Sequence, residues 1–331
     1  MKAVVVGEER PQVTDISEPA IGPHDVLVRV RAAALNRADL AMAAGRPHGR
    51  AGGAGATLGL EWAGEVVEVG SEVTEVQQGD RVACSGAGGF AEYAVTDRGR
   101  ILPMGEHTGF EAAATLPVAV QTMHDALVTN GRMQEGDAVL VQGASSGVGL
   151  MALQIAKRRG ARVVIGTSTN AGRRARLAGF GADLALDSND GGWVQQVFDA
   201  TEGKGVDVVI DQVSGALMND TMRATRILGR IVNVGRLGGM KAEFDFDLHA
   251  LRRIDYIGVT FRTRSAEEVR DITRLLREDG TWDAALNGEL HLPIDSSYAL
   301  EDAAEALQEM RENRHFGKIV LTVGGEVTHD R

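Results

Sequence analysis

The stretch Ala138-Val139-Leu140-Val141-Gln142-Gly143-Ala144-Ser145-Ser146-Gly147-Val148-Gly149-Leu150-Met151-Ala152 decides the fold. A short apolar run reads as a buried strand, a glycine turn follows, and a helical stretch continues to Gly160. Gly147, Gly149 and Ala152 spell G-x-G-x-x-A after a strand and at the opening of a helix, the context a dinucleotide fingerprint requires. The glycines permit a tight turn and close approach of the backbone to a pyrophosphate. The helix N-terminus then offers free N–H groups and a positive dipole end to the phosphates. Ser145 and Ser146 add hydroxyl donors, with Val148 between the two glycines. An ordinary strand-to-helix turn can carry the same letters, so the surroundings must decide.

Outward from this turn, strands alternate with helical stretches. Apolar runs recur at Arg162 to Ile165, Leu184 to Leu186, Val206 to Ile210, Ile231 to Val234 and Tyr256 to Thr260. Six such runs separated by helices imply crossovers and a parallel sheet covered on both faces. The preceding segment reads differently. Asp25 to Arg31 alternates at period 2, and Glu65 to Gly70 and Asp80 to Cys84 are similar, which predicts half-buried strands with tight turns. Gly45 to Gly59 holds six glycines and predicts a loop. After Ser265, helical patterns at Glu267 to Arg277 and Ala303 to Arg314 lead to a last strand, Lys318 to Val323.

Composition removes several classes. The chain has 331 residues, 42 of them glycine, and a net charge of −11. A single cysteine, Cys84, excludes a disulfide framework and a zinc site built on several thiolates. Without a run of 18 apolar residues no membrane helix is expected, and the N-terminus lacks a secretory core, so a cytoplasmic protein is expected. The acidic balance argues against nucleic acid as a partner.

The second strand bears on the cofactor. An NAD-binding unit carries an acidic residue about 20 residues beyond the motif for the ribose hydroxyls. Here Ile165-Gly166-Thr167-Ser168-Thr169-Asn170 has no carboxylate, and none follows before Asp183, whereas Arg173, Arg174 and Arg176 lie close by. Missing acid with nearby guanidinium suits a 2′-phosphate, so NADPH is the expected cofactor.

At this point the chain resembles the zinc-independent quinone oxidoreductase branch of the medium-chain dehydrogenase/reductase superfamily. Ala34-Leu35-Asn36-Arg37-Ala38-Asp39 is similar to the family's A-L-N-x-x-D. Gly59 to Val66, with Val69-Gly70 and Gly79-Asp80-Arg81-Val82, is similar to its G-x-E-x-A-G-x-V…V-G…G-D-R-V. Gly89-Phe90-Ala91-Glu92-Tyr93, Pro117, the turn at Gly143 to Gly149, Gly229-Arg230-Ile231-Val232 and Gly317-Lys318-Ile319-Val320 follow in order. The resemblance implies a GroES-like β-rich catalytic domain from residues 1–118 and 261–331, and a Rossmann NADPH-binding domain, a doubly wound parallel sheet, over residues 119–260. It also implies a homodimer joined through the last Rossmann strands. Zinc-dependent relatives have Cys where Asn36 stands and His where Leu60 stands, so no metal is expected.

The resemblance further implies reduction of quinones or α,β-unsaturated carbonyl compounds, with the substrate's own carbonyl as electron sink. Asn36 is the expected catalytic amide. His124 is a candidate proton donor, because relatives carry an aromatic there and imidazole titrates near neutrality. His48, near a position where relatives place tyrosine, and Arg264 are candidates for substrate binding. Ser145, Ser146, Gly147, Val148, Gly149, Thr167, Ser168, Arg173, Gly235, Phe261, Arg262 and Lys318 are expected along the cofactor. Two other readings stay open: reduction of acrylate or enoyl-CoA substrates, favoured by Arg262 and Arg264, and a non-catalytic cofactor-binding role like that of crystallin relatives that bind RNA.

Overall fold

The computed structural model describes residues 1–7, 10–49 and 51–324. They divide into two compact units, one of Met1–Gln121 with the chain from Phe261 onward, the other Thr122–Thr260. The first division falls three residues beyond the expected boundary, inside the helix Pro117–His124.

Period-2 alternation does produce strands at the front of the chain. They are β1 (Lys2–Val6), β2 (Pro11–Asp15), β3 (Asp25–Ala34), β4 (Glu61–Val69), β5 (Arg81–Ser85), β6 (Tyr93–Asp97) and β7 (Ile101–Pro103). Helix α1 (Arg37–Ala43) follows β3 directly. The middle of the chain supplies β8 (Ala138–Gln142), helix α2 (Gly147–Arg158), β9 (Val163–Thr167), β10 (Leu184–Leu186), β11 (Val206–Asp211), β12 (Thr225–Asn233) and β13 (Asp255–Gly258). Near the end come β14 (Ile294–Ala299) and β15 (Lys318–Thr322).

In the first unit β14, β15, β3, β4, β5 and β7 are neighbours in that order, with β6 also on β3. All these pairings are antiparallel except β14 with β15. Trp62, Phe90, Leu58 and Val28 fill the core with almost no exposure. This is the GroES-like domain.

In the second unit the order is β10-β9-β8-β11-β12-β13, with every pairing parallel. The sequence reverses direction between β8 and β11, the crevice where open α/β sheets bind ligands at the strands' carboxyl ends. This is a Rossmann domain. Leu140, Ile165, Val209, Ile231 and Trp193 form its core. β12 begins six residues before the expected run because its register against β11 slips between Val206 and Val208. At the slip Leu228 takes φ +62°, and Ile227 and Leu228 turn outward.

Candidate active site

In the GroES-like domain three residues far apart in sequence meet because their strands pair antiparallel. Asn36 lies two residues past the end of β3, Glu61 opens β4 and Lys318 opens β15. The Leu35 N–H donates to the Ile319 carbonyl (2.9 Å), which sets Lys318 beside Asn36. The Lys318 ammonium donates to Glu61 Oε1 (2.5 Å) and to Asn36 Oδ1 (3.1 Å). Asn36 Nδ2 donates to the same Glu61 oxygen (2.9 Å). Glu61 Oε2 accepts the Val118 N–H (2.8 Å) in the first turn of Pro117–His124, where the helix dipole favours a carboxylate. Glu61 is fully buried and the Lys318 side chain is 6% exposed. A donor on one side and a carboxylate on the other fix the orientation of the Asn36 amide.

Asp39, one turn into α1, completes the cluster. Its Oδ2 accepts the Asn36 N–H (2.7 Å) in a capping box, while Oδ1 meets no donor in good geometry. Burial pushes its carboxyl up to about 7, against the Asn36 N–H, the Lys318 ammonium and the Gly59 N–H, which favour the charged form. One ammonium thus serves two buried carboxyls.

The same unit places His48 in a tight hairpin with Ala51, whose N–H and carbonyl it engages at 3.1 and 2.7 Å. Gly49 has φ +65°, and a Cβ there would lie 2.7 Å from the Arg262 carbonyl, so glycine lets this turn rest on residue 262. Burial first, then the Arg262 charge, holds the His48 imidazole below its usual range. Arg264 lies over the Phe261 ring (5.7 Å) and within 3.8 Å of Glu268.

In the Rossmann domain the glycine turn is built as its motif requires. Gly143 has φ +71°, and a Cβ on Gly149 would lie 2.7 Å from the Ala144 backbone, so only glycine fits. Ser146 caps α2, its oxygen accepting the Gly149 N–H (3.1 Å). Thr167 Oγ1 accepts the Gly143 N–H (3.1 Å), and Ser168 Oγ donates to Ser145 Oγ (3.0 Å), which ties the turn to the end of β9. Arg174 donates to the Ser168 carbonyl (2.7 Å) and pairs with Asp187 (3.0 Å), and Arg173 is half-buried in the same short helix, Ala171–Arg174. Gly235 packs on Gln212, whose carbonyl a Cβ would approach to 2.6 Å. His124 is buried, 1% exposed, at the end of its helix. This cradle fits a dinucleotide: a tight turn, an N-capped helix start, and no carboxylate at the end of β9.

The sequence singled out Asn36 as catalytic and Lys318 as cofactor-binding, and Glu61, although its motif was in view, was not named as their partner. A zinc ion does not suit the GroES-like cluster, because the Lys318 ammonium sits among its oxygens. Among the described residues no group of three His, Cys, Asp or Glu side chains could hold a metal ion.

Comparison with known proteins agrees with this architecture. The zinc-binding dehydrogenase family matches residues 147–278 and the alcohol dehydrogenase GroES-like domain matches residues 22–106. The chain is 37% identical over 270 residues to polyketide synthase GfsB of Streptomyces halstedii, covering 80% of this chain and 4% of that protein. It is 28% identical over 311 residues to quinone oxidoreductase of Rattus norvegicus, covering 93% of this chain and 92% of that protein. The crystal structure of an alcohol dehydrogenase superfamily protein from Novosphingobium aromaticivorans superposes with a TM-score of 0.87 at 28% identity, covering 98% of this chain and 99% of that one. The chain spans only 4–13% of the polyketide synthases it matches. It belongs to the medium-chain dehydrogenase/reductase superfamily and is quinone oxidoreductase-like.

Proposed function

We propose that this chain is an NADPH-dependent reductase of quinones or α,β-unsaturated carbonyl compounds, working in the cytoplasm as a homodimer. The observation that carries the reading is the glycine turn, N-capped by Ser146, beside a second strand whose end has hydroxyls and no carboxylate. Such an end accepts a 2′-phosphate that a carboxylate would repel, and the half-buried Arg173 can pair with it. Bound NADPH would supply the hydride. The protein's part is to orient the reacting groups and to favour the oxygen that gains electron density. Asn36, locked between Lys318 and Glu61, offers a fixed amide for that orientation, and the Lys318 ammonium supplies a positive field behind it. For the homodimer, the support is the edge strand β13, whose exposed Tyr256 lines one hollow with the exposed Phe246.

A second reading, reduction of acrylate or enoyl-thioester substrates, is favoured by the exposed Arg262 and by the likeness to polyketide synthases. The deciding experiment is NADPH consumption across quinones, enones, acrylates and enoyl-CoAs. Turnover with quinones or enones that Asn36→Ala lowers at least tenfold supports the main reading. Turnover confined to acrylates or enoyl-CoAs supports the second, and NADPH binding without any turnover defeats both.

A further inference from the structure

Gln212, immediately after β11, is 3% exposed, and its carboxamide is used at both ends. Its Oε1 accepts the Ser146 hydroxyl (2.9 Å), while Nε2 donates to the carbonyls of Gln142 (3.2 Å) and Gly143 (3.4 Å). Ser146 is the cap of α2, and its oxygen must face the Gly149 N–H. A serine hydroxyl has one proton and two lone pairs. When Gln212 takes the proton, the lone pairs remain for the Gly149 N–H. The competing acceptor for that proton, the Gly143 carbonyl at 3.1 Å, is itself engaged by Gln212 Nε2.

A second glutamine holds the other side of the turn. Gln142 Oε1 accepts the Thr167 hydroxyl (2.6 Å), whose oxygen in turn accepts the Gly143 N–H, and Gln142 Nε2 donates to Thr221 (3.3 Å). The turn is thereby gripped from β9 through Gln142 and from β11 through Gln212. Glutamine is the side chain that fits at 212. Leucine would take the Nε2 donor from the Gln142 and Gly143 carbonyls and let the Ser146 proton turn to the Gly143 carbonyl, and glutamate would set a negative charge against two carbonyl oxygens beneath a helix start that attracts anions.

We infer that Gln212 is a positioning residue for the dinucleotide. By holding the Ser146 hydroxyl and the Gly143 carbonyl, it keeps the turn's N–H groups aimed where a pyrophosphate binds. The inference rests on the proposed cofactor reading and goes beyond it, because it assigns phosphate affinity to a side chain outside the glycine motif.

The test is titration of NADPH into the full chain, followed by fluorescence, for Gln212→Leu, Ser146→Ala, the double variant and Gln212→Glu. Losing one buried hydrogen-bond link predicts a Kd roughly tenfold weaker for each single variant. Because Gln212 acts through Ser146, the double variant should bind about as well as Ser146→Ala alone. Gln212→Glu should bind more weakly still. At saturating NADPH, kcat for Gln212→Leu should stay within about twofold of the wild type, so that the change falls on affinity. If Gln212→Leu fails to fold, Gln212→Asn carries the same expectation. Wild-type affinity in Gln212→Leu, or losses that multiply to about a hundredfold in the double variant, would overturn the inference. Wild-type protein that binds neither NADPH nor NADH would instead remove the cofactor reading, and this inference with it.

Discussion

Replacing Lys318 by methionine removes the one cation from a buried cluster that holds two carboxyls. Lys318 and Glu61 have side-chain exposures of 6% and 0%, so water cannot substitute for the lost partner. Leaving one member of a buried pair uncompensated costs about 3–5 kcal/mol. For a folding unit of this size each kcal/mol lowers Tm by about 2–4 °C, so Lys318→Met should melt roughly 10 °C below the wild type. The double variant Lys318→Met/Glu61→Gln should recover most of that loss, because the neutral amide can accept the Val118 N–H through its oxygen and donate through its nitrogen to Asn36 Oδ1, which Lys318 no longer engages. A control separates burial from proximity. Lys2 and Glu301 are as close, at 2.6 Å, but about half exposed, so Lys2→Met should melt with the wild type. The assay is thermal unfolding of the four proteins at one pH and salt concentration. Equal, small shifts for Lys318→Met and Lys2→Met would refute the reasoning, since they would mean that the Glu61 charge is hydrated.

Two other predictions concern single positions. Asp39 has a folded-state carboxyl at about 7 against an ordinary 3.8, so the folded protein holds a proton that the unfolded chain releases. Stability should therefore fall by roughly 4 kcal/mol as pH rises from about 4 to about 7 and level off above that. Asp39→Asn should flatten this slope in urea titrations, and parallel wild-type and variant curves would show that Asp39 does not hold the proton. Gly149→Ala brings a methyl within 2.7 Å of the Ala144 backbone, which should cost about 1–3 kcal/mol and abolish NADPH binding. An unchanged melt together with unchanged affinity would mean that the turn has room it does not display.

Legibility followed the range of the interactions. The glycine turn could be read because its requirements are local: φ +71° at Gly143 and the tight space at Gly149 lie within seven residues of each other. β8 and β10 occupy the expected residues, since short buried runs have clear ends. The early start of β12 was hidden because Leu228 and Gly229 interrupt it with a register slip that no periodicity records. Glu61 was legible as part of a motif but not as a partner. Its contact with Lys318 spans 257 positions and depends on β3, β4 and β15 aligning in register. Gln212 gave no signal because a glutamine after a strand is unremarkable until the order β10-β9-β8-β11 lays it beside the turn. His124 was chosen for its chemistry, and burial within its own helix is something its sequence neighbours do not announce.

We propose that the Rossmann turn selects NADPH for a reductase. Parallel titrations of NADPH and NADH into the full chain, with quinone or enone turnover followed at saturation, test it most directly. NADPH should bind at least tenfold more tightly than NADH, with that preference reduced toward parity by Arg173→Ala, and hydride should pass to a quinone or enone. Equal or tighter binding of NADH would contradict it.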